Sequence, residues 1–324
     1  MQSLELIVVT QDLKVGVIGA GYWGKKQVDE YSRLGASVLV ADLSQDNLSF
    51  CAEKSGARTT KDYHDILSDD SIRHVSVCTP NDSHYALAKE CLSAGKNVLV
   101  EKPLSSTVEE GKDLIRTATK NDVALVVGHI FRFNNAVNRL RDMVVRREFG
   151  VLYLAKFKWT NLEKVFTDRD VIYDLAPHPF DLLDYLFGRA PDEVSCVGNC
   201  FRQDKVMEAA FINLRIEHMI ANIELSWILP KKERSLALVG SRKTAFADLA
   251  AQKVTIFDNA TNAFSELNIV PNNTIQDELL GFIRSSSDRT QSIADAEVGL
   301  KAIRLIELAE QSHKEKKTLS LKFV

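Results

Sequence analysis

The sequence has few of the features that mark disulfide-stapled, membrane-spanning or disordered proteins. Its five cysteines are an odd number scattered over 324 residues, which is typical of reduced intracellular thiols. The longest apolar runs are a few residues, far below the roughly 20 that cross a bilayer. Glycine and proline number only 15 and 7, and 45% of the residues are hydrophobic, so disorder is excluded as the main state.

A strong excess of either charge is also missing. The 41 basic and 44 acidic residues leave a net charge of -3, so no broad positive field is available to hold nucleic acid. The start, MQSLELIVVT, carries Glu5 and no basic segment of the kind that begins a signal peptide. We therefore expect a cytoplasmic protein with neither nucleic-acid nor membrane partners.

The first part of the chain alternates short β-rich runs with longer helix-like stretches. Between residues 13 and 129 the runs are LKVGVIG, SVLVAD, RHVSVCTP, KNVLVEKP and ALVVGH. Near-continuous apolar runs are typical of parallel strands covered on both faces. Thr107 and Glu110 have the spacing of a capping box at a helix start. The pattern predicts a doubly wound parallel sheet over residues 1–130.

After about residue 130, β-rich runs follow one another with short turns. Several alternate apolar and polar residues, as in VLYLAKFKW, MEAAFINLRI and HMIANIELSW, which favours an antiparallel sheet with one buried face. A helix at HPFDLLDYLF interrupts the series, and another is predicted from about residue 292 to 312. These elements predict a second, α+β domain over residues 131–324.

A glycine-rich turn stands at the end of the first predicted strand, in VGVIGAGYWGKK. Gly19 suits the tight turn, Gly21 lets a pyrophosphate approach the backbone, and Gly24 lets helix and strand pack closely. The same string fits the start of a P-loop, but Lys26 stands where that motif needs Ser or Thr. Dinucleotide binding is the favoured interpretation, against a turn needed only for packing.

Asp42 closes the second predicted strand, 23 residues after Gly19. A carboxylate at this place binds the ribose hydroxyls of the adenosine half and repels a 2′-phosphate. The alternative is a turn aspartate before a helix cap. We therefore expect NAD as the cofactor, with NADP less favoured.

Polar residues also follow two later strands, in CTPNDSH and VLVEKP. Open α/β sheets bind ligands at the carboxyl edge, where these strand ends meet. Taken alone, Lys102 is more typical of a solvated strand end than of a catalytic residue, and His84 is more typical of a helix start. The candidate cofactor contacts at this edge are Gly19, Gly21, Tyr22, Trp23, Gly24, Asp42, Thr79, Asn81, His84, Glu101 and Lys102.

The segment YDLAPHPFDLLDYLFG places Asp174 and His178 four residues apart. If a helix starts near Pro177, both side chains can face one cleft. Asp181 and Asp184 follow on the same helix as surface, capping or functional carboxylates. An Asp/His pair could bind metal, as could the cysteines of CVGNC, but neither has enough further ligands, so no metal is expected.

Together these motifs resemble the glucose-fructose oxidoreductase, inositol dehydrogenase and MocA-like family of NAD(P)-dependent dehydrogenases. The matching strings occur in order as GAGYWG, TPNDSH, EKP, GHIFRF and DLAPH. The resemblance implies a Rossmann domain and an α+β domain with an open, mostly antiparallel sheet that supports a homodimer or homotetramer. One departure is TDRDVIY before DLAPH, where many members have a glycine-rich segment.

The resemblance also implies roles for four residues. Lys102 looks like the active-site lysine of the EKP motif. Asp174 and His178 look like the pair that contacts substrate hydroxyls. Arg132 looks like the arginine of GHxxRF and is a candidate for substrate binding. We expect an NAD-dependent oxidoreductase acting on a secondary alcohol or ketone of a sugar, sugar nucleotide or cyclitol.

In this interpretation His178 is the general base, Lys102 stabilises the developing alkoxide, and Asp174 orients His178 or a neighbouring hydroxyl. The alternatives are a reductase of another small carbonyl compound and a dinucleotide-binding regulator without turnover. A regulator would need the glycine loop but not the three residues Lys102, Asp174 and His178.

Overall fold

The computed structural model describes residues 13–164, 166, 169–288 and 290–321. These residues form two units, one of residues 13–130 with 273–300 and one of residues 131–272 with 301–321. The division near residue 130 lies where the sequence pattern changes. Residues 273–300, which the sequence analysis assigns to the second domain, instead belong to the first unit.

The first unit is built on a parallel sheet with helices between its strands. Its strands are β1 (Lys14–Ile18), β2 (Ser37–Ala41), β3 (Arg58–Thr60), β4 (His74–Val77), β5 (Asn97–Val100) and β6 (Leu125–Val127). Its helices are α1 (Tyr22–Arg33), α2 (Gln45–Ser55), α3 (His64–Leu67), α4 (His84–Ser93), α5 (Val108–Lys120) and, after the second unit's strands, α9 (Thr274–Asp288). All neighbouring strands are parallel, in the order β3-β2-β1-β4-β5-β6.

This sheet confirms the predicted doubly wound fold. Strand β1 is buried from Val15 to Ile18, as its near-continuous apolar run predicts. The capping box at Thr107 and Glu110 is present at the start of α5. The sequence analysis did not identify β3, because its three residues RTT form a short edge strand without an apolar signal.

Residues 273–300 complete the first unit from a distant part of the chain. Helix α9 packs against α1 and buries Leu279, Phe282 and Ile283. The Val127 amide donates to the Ala294 carbonyl at 2.9 Å, which covers the outer edge of β6. Helical periodicity shows that one face of such a segment is buried but not against which sheet, so the sequence could not assign it.

The second unit is built on a nine-stranded sheet. Its strands are β7 (Leu152–Thr160), β8 (Glu193–Asn199), β9 (Ala209–Ile216), β10 (Met219–Ser226), β11 (Glu233–Gly240), β12 (Lys243–Asp248), β13 (Lys253–Asp258), β14 (Ala263–Glu266) and β15 (Leu319–Ser320). Its helices are α6 (Asn135–Val145), α7 (Val171–Leu175), α8 (Pro177–Phe187) and most of α10 (Ala296–Glu315), which begins in the first unit. The strand order is β14-β13-β12-β11-β7-β10-β9-β8-β15.

Among the described strands of this sheet, only β7 and β10 pair in parallel, so the sheet is mostly antiparallel, as the resemblance implies. Alternate residues of β7, such as Phe157 and Trp159, are fully buried. Ile212 and Leu214, which alternate in the same way along β9, are also buried. The opposite face carries polar and partly exposed apolar residues. The alternation seen in the sequence therefore reports one buried face.

Three expected absences can be examined within the described ranges. The five cysteines are free. No group of three or more His, Cys, Asp or Glu side chains among the described residues is arranged to hold a metal ion. In the same part of the chain, no helix is both long enough and apolar enough to span a bilayer.

Candidate active site

The glycine loop between β1 and α1 has a geometry that suits a dinucleotide. Gly19 has a φ of +89°, a conformation that favours glycine. A Cβ on Gly24 would collide with the Gly19 carbonyl oxygen, so this glycine is required for close packing. A Cβ on Gly21 would meet nothing within 4 Å, which leaves the backbone open to an approaching phosphate. The N-terminus of α1 adjoins this loop, and helix N-termini favour anionic groups, so the residues present fit a pyrophosphate.

Asp42 at the end of β2 is tied to this loop. Its Oδ2 accepts a hydrogen bond from the Ala20 amide at 2.6 Å, and its Oδ1 accepts one from the Ser44 amide at 2.7 Å. Ser44 in turn caps α2, so Asp42 does lie just before a helix cap. The bond to Ala20 was not foreseen, because sequence spacing alone does not show which loop amide a carboxylate reaches. It holds the carboxylate beside the cofactor loop.

Of the two further strand ends, the one after β4 meets the glycine loop, as the carboxyl-edge argument predicts. A Cβ on Gly19 would lie 2.8 Å from Cγ2 of Thr79, so the TPN turn after β4 packs directly on the loop. Asn81 begins a short 3₁₀ helix, Asn81–Ser83. Tyr22 and Trp23 form the first turn of α1, where the amine of Lys26 lies over both rings.

His84 joins two of these strand ends from inside the unit. Its ring is fully buried, with Nδ1 2.8 Å from the Pro103 carbonyl oxygen and Nε2 2.9 Å from that of Thr79. Burial lowers the pKa of His84, and the two backbone hydrogen bonds oppose this. His84 is the first residue of α4, and its nitrogens are directed at the backbone. This geometry indicates that it positions the TPN and EKP turns.

Glu101 connects the EKP turn to helix α1. Its Oε1 accepts a hydrogen bond from Nε2 of the buried Gln27 at 2.8 Å. Burial raises the pKa of Glu101, while the positive charge of Lys102 lowers it. A Cβ on Gly128 would lie 3.0 Å from Oε2 of Glu101, which explains the glycine of GHIFRF. Lys102 itself is partly buried just after β5, where its charge acts on both Glu101 and His84.

In the second unit, Asp174 lies in the short helix α7. Asp170 caps this helix by accepting from the amides of Ile172 and Tyr173 at 2.9 and 3.0 Å. Burial raises the pKa of Asp170, and these backbone bonds oppose the rise. The departure TDRDVIY thus supplies a helix cap in its last part, while Thr167 and Asp168 lie outside the described residues.

His178 lies in the first turn of α8, which begins at Pro177 as the sequence predicts. Its side chain is held between two aromatic rings. The Phe131 ring meets it edge-on at a centroid distance of 5.1 Å, and the Trp159 ring stacks at 6.3 Å with an interplanar angle of 29°. Only 9% of the residue is exposed. The imidazole is therefore oriented by packing, one turn after Asp174.

Arg132 is buried and forms ion pairs with the two aspartates of α8, Asp181 and Asp184. Its Nε lies 2.6 Å from Oδ1 of Asp181, and Nη2 lies 2.8 Å from Oδ2 of Asp184. Burial raises the pKa of Asp181 to about 7, and the charge of Arg132 opposes this. Asp181 is thus neither a surface nor a capping residue. These contacts show Arg132 anchoring α8, while a contact with substrate stays a prediction.

Comparison with known proteins agrees with this geometry. Residues 13–129 match the model described as the oxidoreductase family with NAD-binding Rossmann fold, and residues 137–246 match the GFO/IDH/MocA C-terminal domain. The chain is 29% identical over 248 residues to UDP-N-acetylglucosamine 3-dehydrogenase of Acidithiobacillus ferrooxidans, covering 76% of this chain and 77% of that protein. It is 22% identical over 332 residues to myo-inositol 2-dehydrogenase of Thermotoga maritima, covering 96% and 99%.

A solved structure shows the same fold over nearly the whole length. Levoglucosan dehydrogenase, in complex with NADH and levoglucosan, superimposes with a TM-score of 0.87 at 16% identity, covering 97% of this chain and 100% of that one. At this identity the likeness establishes the fold alone. The two family matches together span most of the chain, in the order that the sequence motifs predict. The chain therefore belongs to the GFO/IDH/MocA family of NAD-binding oxidoreductases.

Proposed function

We propose that this chain transfers hydride between NAD and a secondary alcohol or ketone of a sugar, sugar nucleotide or cyclitol. The main support for the proposal is the pair Asp174 and His178, which lie on consecutive helices. A hydrogen bond from Trp227 fixes Asp174, and the rings of Phe131 and Trp159 fix His178. The relatives named above are dehydrogenases of a sugar nucleotide and of an inositol, which supports this substrate class. The open glycine loop supports the cofactor.

Three side chains have distinct roles in the proposed reaction. In the oxidation direction, His178 accepts the hydroxyl proton, which requires a distance of about 3 Å from the substrate oxygen. Lys102 donates the hydrogen bond that stabilises charge developing on that oxygen. Asp174 orients His178 or a neighbouring substrate hydroxyl. The glycine loop and Asp42 would hold the dinucleotide, whose nicotinamide would supply a hydride acceptor in this direction and a hydride donor in the reverse.

Turnover distinguishes this proposal from a regulator that only binds the cofactor. Absorbance of the reduced nicotinamide is followed with NAD⁺ and a panel of sugar nucleotides, inositols and free sugars, and with NADH and the matching keto compounds. We expect turnover in at least one group of the panel. Tight NADH binding in fluorescence titrations, without turnover of any compound in either direction, would contradict the proposal.

Asp42 should make the protein prefer NAD over NADP, because its carboxylate repels a 2′-phosphate. Replacing Asp42 with Ala should narrow the difference in binding free energy by about 1 to 2 kcal/mol, roughly five- to thirtyfold in affinity. Fluorescence titration of NADH and NADPH against both proteins measures this. If the unaltered protein binds NADPH as tightly as NADH or more tightly, the predicted preference for NAD is wrong.

Two matched variants distinguish the effect of the Asp42 charge on cofactor selectivity from the effect of its hydrogen bond to the Ala20 amide. Asp42→Asn keeps an oxygen that can accept from the Ala20 amide, so it should relax selectivity while leaving NADH affinity closer to normal. Asp46→Ala removes an exposed carboxylate four residues away in α2 and should leave the selectivity unchanged.

We also propose that two copies pair through the outer face of the nine-stranded sheet. Phe211 and Ile220 on this face are 50% and 54% exposed, although they lie on central strands. Ile220→Glu should shift the protein to monomers in sedimentation velocity because it introduces a charge into that face. Val145→Glu alters an exposed apolar residue at the end of α6 and should not. A monomeric unaltered protein would disprove the pairing.

A further inference from the structure

We propose that Trp227 is a positioning residue that fixes the carboxylate of Asp174 through its indole N–H. This inference rests on the proposed function, in which Asp174 orients His178 or a substrate hydroxyl. Trp227 does not belong to any of the motifs that identify the family in this sequence. It follows β10 directly and comes 53 residues after Asp174.

The indole of Trp227 is completely buried, and its Nε1 donates to Oδ2 of Asp174 at 3.1 Å. Leaving a buried N–H without an acceptor costs free energy. The acceptor here is an ionisable side chain of the proposed catalytic pair. A hydrogen bond to a charged group is stronger than one between neutral groups.

The backbone around Trp227 is also held firmly. Its amide donates to the Glu208 carbonyl at 2.8 Å, and its carbonyl accepts from the Glu163 amide at 3.0 Å. The Phe166 ring packs against the indole at a centroid distance of 5.0 Å. The donor to Asp174 is thus fixed on three sides by elements other than α7.

The two oxygens of Asp174 face different partners. Oδ2 receives the indole N–H, while Oδ1 lies 3.6 Å from Nε of Arg169. With Oδ2 anchored, rotation of the carboxylate is restricted, and the remaining lone pairs have a defined direction. Such orientation matters because a hydroxyl hydrogen bond weakens steeply when its angle departs from linearity.

A comparison within the protein separates this role from simple core packing. Trp159 is also completely buried in the second unit, but its Nε1 has no hydrogen-bond partner among the described residues. Burial of an indole in this core therefore does not by itself require an acceptor. The bond from Trp227 to Asp174 is a specific arrangement.

The bond can be tested without any activity measurement. The chain has three tryptophans, so ¹H–¹⁵N spectra should contain three indole signals. Asp174→Asn should move the Trp227 signal upfield and leave that of Trp159 in place, because Nε1 of Trp227 donates to Asp174 while Nε1 of Trp159 has no hydrogen-bond partner among the described residues. Trp227→Phe assigns the signal, and if that variant does not fold, Trp23→Phe and Trp159→Phe assign it by elimination.

The positioning role is tested by a double-mutant cycle on kcat/KM. Trp227→Phe should lower kcat/KM by about tenfold to a hundredfold, the change expected for losing one hydrogen bond to a charged group. In the Asp174→Asn background, the same change should have little further effect, because residues that act through one another are not additive. Met219→Ala, which truncates a buried side chain at the far end of β10, should have the same effect in both backgrounds.

Additive effects of Trp227→Phe and Asp174→Asn would overturn the positioning role and leave Trp227 a packing residue. An unmoved indole signal would overturn the hydrogen bond itself. If Asp174→Asn shifts the signal but leaves kcat/KM unchanged, the bond exists, and both the positioning role and the function proposed for Asp174 are wrong. Absence of turnover in the unaltered protein, with the shift present, would instead contradict the proposed function.

Discussion

Replacing His178 with Asn should lower turnover by roughly a hundredfold to ten-thousandfold, because the amide keeps a hydrogen-bonding side chain but cannot accept the substrate proton. Alcohol oxidation requires a neutral base, so the rate of the unaltered protein should rise with pH and then level off. In the variant this rise should disappear, while substrate and cofactor binding persist. Steady-state rates across the pH range and cofactor titration measure both effects.

Asp181 is the necessary control for this pH profile. Burial raises the pKa of Asp181 to about 7, so this carboxyl, three residues further along α8, also titrates within a pH profile recorded around neutrality. Asp181→Asn removes that group and leaves Arg132 paired with Asp184. The rise should survive in Asp181→Asn and vanish in His178→Asn. If His178→Asn keeps both its rate and its profile, the base is another group or a water, and the role given to His178 is wrong.

Replacing Lys102 with Met should lower turnover by about a hundredfold or more, the usual scale for removing a donor to a developing oxyanion. The methionine has similar length, so folding and NADH affinity should remain largely intact. Turnover assays and fluorescence titration on the same preparation separate these effects. Circular dichroism establishes that the variant is folded before the rates are interpreted.

The matched control is Lys112→Met, which removes an exposed amine from α5 in the same unit. It should turn over like the unaltered protein. If Lys102→Met also does so while folded, Lys102 is a solvated strand end, which is the alternative that the sequence left open.

The features that could be predicted from sequence are those that depend on near neighbours along the chain. The glycine loop, the capping box of Thr107 and Glu110, and the helix start at Pro177 each follow from residues a few positions apart. Their physical causes are backbone conformation and local amide satisfaction, which a short string specifies. For the same reason their positions in the structure agree with the sequence analysis.

The features that could not be predicted depend on partners far away in sequence. His84 reaches the carbonyl of Pro103, Arg132 pairs with Asp181, and Trp227 reaches Asp174. Many partners are chemically adequate for each of these side chains, and only the tertiary fold selects one. A sequence signal existed for the two aspartates on α8, Asp181 and Asp184, since acidic residues on an otherwise apolar helix need partners.

The return of residues 273–300 to the first unit affects the order in which the protein can mature on the ribosome. Most of the first unit is synthesised before the second. However, α9 covers a face of α1, and Ala294 covers the edge of β6. Both surfaces stay uncovered until nearly three hundred residues have been synthesised. Meanwhile eight of the nine described strands of the second unit, within residues 152–266, are synthesised while the first unit is still incomplete. A nascent chain ending near residue 130 therefore exposes apolar surface and an unpaired strand edge, both of which favour aggregation.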